Sequence, residues 1–191
     1  MSPIIQHILS FWFDRPPMEW IIAPAGLDEQ IKSEFGALVI RARNNELNDW
    51  TTGPDSSLAL VVLLEQFPRN IYRGSPEAFT SDAQALDIAI RAIAQGFDKQ
   101  VTPIQASAFY MPLIQQESLV SLIAVRLLFE GLMARCETEQ DTKWAEIGFA
   151  AANRHIQQLL KFGRYPTRNA ALGRENTAEE EEFLKEYKPT L

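Results

Sequence analysis

Two short stretches of this sequence carry the side chains best suited to holding an anion. Gln66-Phe67-Pro68-Arg69-Asn70-Ile71-Tyr72-Arg73-Gly74 and Gly163-Arg164-Tyr165-Pro166-Thr167-Arg168-Asn169, the second continuing to Leu172-Gly173-Arg174, each follow an apolar segment and combine aromatic, proline, arginine and asparagine residues. Proline stiffens a turn, and an aromatic ring can anchor it in the core. A guanidinium presents a planar fork of donors that matches a carboxylate or phosphate, and a carboxamide adds further donors and an acceptor. If the stretches converge, Arg69, Asn70, Arg73, Arg164, Arg168, Asn169 and Arg174 line a polar pocket for a small anionic ligand or a peptide carboxylate. The competing structural reading has the same side chains capping helix carbonyls and pairing with Glu65, Glu117 or other acids, because a cation at a helix C-terminus is itself favourable by about 0.3–1 kcal/mol.

A third stretch, Phe109-Tyr110-Met111-Pro112-Leu113-Ile114-Gln115-Gln116-Glu117, offers Tyr110, Gln115 and Glu117 at a helix entrance, and His155 lies on a later helix. With the arginine turns they complete the expected binding set. The alternative is an enzyme in which Glu117 or His155 acts as acid or base, while Arg69, Arg164 or Arg168 stabilises charge developing on a carboxylated or phosphorylated substrate. The third reading is a scaffold in which the arginine turns only join helices.

Familiar catalytic signatures are missing: there is no Gly-x-Ser-x-Gly elbow, Walker loop or dinucleotide-binding glycine fingerprint. With only His7, His155 and Cys136 as nitrogen or thiol ligands, no zinc site is expected and no cofactor is implied. No acidic spacing suggests magnesium, and Glu179 to Glu182 read as a solvated helix face. The formal net charge of -7 argues against a nucleic-acid partner, which needs a basic surface.

These side chains need rigid elements to position them. Ser2-Pro3 opens a first helix ending near Phe13, and Leu27, Ile31, Phe35, Leu38 and Val39 mark a second, to about Leu47. Asp55 or Ser56 can cap a third over Leu58 to Gln66, apolar on nearly every side, which Pro68 is expected to stop. Further helices are expected over Asp82 to Gln95 and Ile104 to Tyr110, then a long one over Leu113 to Ala134 and another over Trp144 to Phe162. Gly163 supplies a left-handed stop, and Thr177 with Glu180 matches a capping box. No strand alternation is visible. The fold expected is all-α, a stack of antiparallel helical hairpins forming one domain over residues 1–191. No apolar run reaches the ~18 residues of a membrane span, so no membrane association is expected. With no secretory leader after Met1 and a single cysteine, a reducing cytoplasm is the expected setting.

Several segments also carry a likeness. Phe11-Trp12-Phe13, Leu63 through Gly74 (Leu-Leu-Glu-Gln-Phe-Pro-Arg-Asn-Ile-Tyr-Arg-Gly), Tyr110-Met111-Pro112-Leu113, and Phe162-Gly163-Arg164-Tyr165-Pro166 through Arg168-Asn169 and Leu172-Gly173-Arg174 resemble, in order and spacing, the bacterial domain-of-unknown-function family 924. The resemblance covers nearly the whole chain. It implies a tetratricopeptide-like short superhelix rather than a plain bundle, and it brings no activity. His155, Arg69, Asn70, Arg164, Arg168, Asn169 and Arg174 match the family pattern; the family usually has Asp where Glu65 stands and His where Gln115 and Thr167 stand. Chemistry that needed those two imidazoles is lost here, whereas neutral hydrogen bonding survives in Gln115 and partly in Thr167.

Overall fold

The computed structural model describes residues 2–187; Met1 and residues 188–191, at the two ends of the expected domain, lie outside the described residues. The helices are α1 (Pro3–Phe13), α2 (Leu27–Arg43), α3 (Pro54–Val61), α4 (Phe67–Ile71), α5 (Asp82–Ala94), α6 (Pro103–Ile114), α7 (Leu119–Met133), α8 (Glu139–Phe162) and α9 (Ala178–Glu186). No strand occurs among the described residues, so the fold is all-α. Proline stands at the first turn of α1, α3 and α6, where its missing N–H has no intrahelical partner to lose. Capping boxes Thr102–Gln105 and Thr177–Glu180 start α6 and α9, and Gly163, at φ 71°, turns the chain away after α8.

The third helix departs from expectation. Pro68 does not stop it: the chain passes from α3 through a π-helical turn, Val62–Gln66, into α4, with the Phe67 N–H donating five residues back to Val62 O. Pro68 has no N–H for the Leu64 carbonyl, and the Ser81 hydroxyl donates to that oxygen instead, at 2.7 Å. A buried side chain from the start of α5 thus replaces the hydrogen bond that proline removes, which is how the helix survives it. The second difference is at Pro112, which lies inside α6. The helix continues to Ile114 because residues 106–114 are buried on every side, and the packing outweighs proline's ~3 kcal/mol penalty. The break comes later, where the Ser118 side chain accepts from Ser121 N and starts α7.

α3 and the π turn form the centre of the molecule, with residues 58–64 almost wholly removed from solvent. α1, α5 and α6 pack on α3, α2 packs on α4, and α6 passes on to the tightly paired α7 and α8. Gly148 of α8 allows that pairing, since a Cβ there would sit 2.3 Å from the Phe129 ring of α7. Trp20, stacked on Trp12 and edge-on to Trp144 at 5.1 Å, ties the proline-rich N-terminal loop to α8. Among the described residues no helix is long and apolar enough to cross a membrane.

Candidate functional site

The two arginine turns meet. Arg69, one turn beyond the π segment, lies with its guanidinium 4.7 Å from the centre of the Phe79 ring, and Arg168, after α8 has ended and the chain has doubled back, lies 5.1 Å from the same ring. Arg69 donates to Asp82 Oδ2 at 2.8 Å and to the Ala78 carbonyl, and stands 3.7 Å from Glu65 Oε1. Arg168 donates to the Gln115 carbonyl at 2.8 Å and to the Gln115 side-chain oxygen, and also covers the Tyr165 ring. Tyr165 is fixed beneath it, its hydroxyl within hydrogen-bond distance of the Ile114 and Gln116 carbonyls at the end of α6. α4, the start of α5, the end of α6 and the turn after α8 therefore share one polar centre.

Glu65 is the unusual member. It is 0 % exposed, and its Oε2 accepts from the Gln66 amide; among the described residues neither its Oε1 nor the buried Asp82 Oδ1 has a hydrogen-bond partner. Burial pushes the Glu65 carboxyl above its ordinary value, against the pull of Arg69 and Arg168 and with the help of Asp82. Burial and then the neighbouring charge of Arg69 push the Arg168 guanidinium below its usual value. Two cations thus share this centre with Asp82, which pairs with Arg69 through Oδ2 and acts on Arg168 only through its charge. Of the five N–H donors on each guanidinium, two hydrogen bonds are made by Arg69 and two by Arg168 among the described residues.

His155 borders this centre. Its ring meets Tyr165 edge-on at 4.7 Å, and its Nδ1 lies 2.8 Å from the Ala151 carbonyl, which can only accept, so Nδ1 carries the proton and Nε2 is left as the acceptor. Burial, with Arg168 and Arg154 adding to it, lowers its pKa below the ordinary histidine value and keeps the ring neutral at pH 7.

The remaining expected residues lie in other clusters. Glu117 is clamped by the Arg174 fork at 2.9 Å and by the Tyr165 N–H at 2.8 Å; burial pulls its carboxyl upward, and the Arg174 and Tyr165 bonds with nearby Arg168 outweigh that and hold it low. Arg164 grips Glu180 with two bonds of 2.6 and 2.7 Å, and Asn169 joins Glu180 and Asn176, together docking α9. Asn70 and Arg73 hold Asp28 at the start of α2. Tyr110 donates to buried Asp98 at 2.8 Å beneath the Phe129 ring. Thr167 is exposed on the turn that carries Arg168.

Gln66, Phe79 and Asp82 join the centre without having been expected there. Glu65, weighed before only as an ion-pair partner, stands inside it. Its signal was in the sequence, since an acid that directly continues a helix apolar on every side has no solvent-facing position to occupy. Phe79 and Asp82 carried no comparable signal, because only the approach of residues 76–82 to α4 gives them a role.

The fold and this centre define a class: an all-helical protein in which a helix interrupted by a π turn places a buried carboxyl beside two guanidinium groups that share one aromatic ring. The family model described as bacterial protein of unknown function, DUF924, matches residues 8–188, and the chain belongs to that family. A solved structure of a protein of unknown function from Agrobacterium tumefaciens is similar throughout, with 31% identity, coverage of 96% of this chain and 98% of that one, and a TM-score of 0.85. No curated protein matches the chain.

Proposed function

We propose that the Arg69–Arg168 centre binds a small carboxylate or phosphate. The observation that carries this reading is the sharing of one ring, Phe79, by two guanidinium groups whose hydrogen-bonding capacity is only partly used. With Glu65 held toward its neutral form, Asp82 offsets one of the two positive charges, and an incoming anion offsets the other. Charge-assisted, forked bonds are the strongest recognition available to such a pair, and the aromatic ring keeps both planes oriented. Arg69, with 21% of its side chain exposed, is the face open to solvent.

Thermal unfolding in the presence of phosphate and of small mono- and dicarboxylates tests it. A ligand that binds only the folded chain stabilises it by about 2.7 kcal/mol at 100 times its Kd. Wild type is expected to show the rise, Arg168→Ala to lose it, and Arg73→Ala, which alters only the Asp28 cluster, to keep it. If wild type responds to none of these anions, the reading fails. The scaffold reading draws on the same map from the other side: Arg164, Arg174 and Arg73 each already engage an acid, and Arg168 caps the end of α6. On that reading Arg168→Ala lowers the midpoint and no anion moves it in either protein.

A further inference from the structure

α7 is apolar on two faces, yet only one of them is covered. Leu122, Val125, Phe129 and Leu132 pack into the core, while Leu119, Val120, Ile123 and Leu127 on the other side are 39%, 79%, 45% and 56% exposed. An ordinary surface helix has one apolar face turned to the core and a polar face turned to water, so a second apolar face is the exception. Val120, Ile123, Leu127 and Gly131 follow one another at steps of three, four and four residues, the spacing of a helix–helix seam, and the space where a Gly131 side chain would project is open. Along one edge of this stripe lie Arg126 and Glu130, one turn apart, and neither has a hydrogen-bond or ion-pair partner among the described residues.

We infer that the stripe is the interface of a symmetric dimer, with α7 of a second copy as its occupant. A two-fold axis through Leu127 runs the two helices antiparallel and lays Ile123 of each copy against Gly131 of the other, a large residue facing a small one. The same operation brings Arg126 of each copy to Glu130 of the other, so the unpaired charges become two equivalent ion pairs. This self-complementarity of charge selects a second copy over an unrelated apolar partner. A single helical seam is smaller than a standard interface of ~1,600 Å², which places the association in the weak range.

Sedimentation velocity of the full chain from about 5 to 200 µM reads the outcome, bracketing a weak Kd. Wild type is expected to move from one chain toward two across the range. Leu127→Glu should stay monomeric, with its circular dichroism and low-concentration unfolding midpoint close to wild type, because the side chain it replaces already faces solvent. Arg126→Glu should weaken association about tenfold or more through like-charge contact, and Arg126→Glu with Glu130→Arg should restore it. The inference is overturned by a wild type that remains one chain at the highest concentration, which would assign the stripe to an occupant other than this chain, by a dimer indifferent to Leu127→Glu, or by a charge swap that fails to restore pairing, which would refute the antiparallel register that sets Arg126 against Glu130.

Discussion

Glu65 concentrates the conflict between stability and function in one side chain. An acid whose pKa is raised by folding holds its proton in the native state over a pH range where the unfolded chain has released it. The native state is therefore fully favoured below the ordinary carboxylate value of 4.5 and loses that advantage as pH rises through the raised value. Glu65→Gln keeps the shape and removes the titration, so its denaturation midpoint should exceed that of wild type by more at pH 8 than at pH 4. Anion binding follows the same group: as Glu65 ionises among Arg69, Asp82 and Arg168 the excess positive charge disappears, and stabilisation by a small carboxylate, whose own charge is constant above about pH 6, should fall with rising pH in wild type and stay level in the variant. A midpoint difference independent of pH would show that Glu65 does not titrate differently on folding. Arg73 is the contrasting residue. Its link to Asp28 is 57% exposed on the arginine side, and its loss should change stability by less than about 1 kcal/mol in urea denaturation.

Among the elements, the π turn has the most specific dependency, because the Leu64 carbonyl relies on a hydroxyl from another helix. Ser81→Ala leaves that carbonyl buried without a donor and should cost about 1–3 kcal/mol in urea denaturation. A change within about 0.3 kcal/mol would mean that the α3–α4 continuity does not rest on this bond. The α7–α8 pair depends on the absence of a side chain. Gly148→Ala places a Cβ against the Phe129 ring, and overpacking of this kind typically costs 1–3 kcal/mol, readable by the same measurement. α9 depends on charge. The Arg164 fork, the Thr177 N–H and Asn169 hold the Glu180 carboxyl down to about 2, so its contribution is complete above 4.5 and is lost as pH falls toward 2. Acid titration of wild type should therefore release α9 in that window, and Glu180→Gln should already be destabilised at pH 7 and show a shallower acid dependence there.

At the scale of the whole molecule, one apolar cluster extends from Ile5 in α1 to Tyr165 beyond α8, and the polar centre lies where the turn after α8 reaches α4, the start of α5 and the end of α6. A shared core predicts a single cooperative transition, with tryptophan fluorescence and far-ultraviolet circular dichroism giving coincident curves. The helical class was legible in the spacing of residues such as Leu27, Ile31, Phe35 and Val39, and the ends of helices in local signals such as Thr177–Glu180 and Gly163, because these depend on contacts within one or two turns. The family was legible in the proline- and arginine-bearing turns, whose residue order is kept by the chain itself. What happens at Pro68 and Pro112 was not legible: the local preference of proline is to end a helix, and it was overruled by Ser81 in one case and by complete burial in the other. Nor could the sequence divide its arginines among partners. Arg69 and Arg168 meet on Phe79 across about a hundred residues of chain, while Arg164, only four positions from Arg168, turns to Glu180. Side chains of one type at neighbouring positions differ in role because packing sets the direction in which each points and which charge awaits it, and those are properties of the assembled helices rather than of any segment.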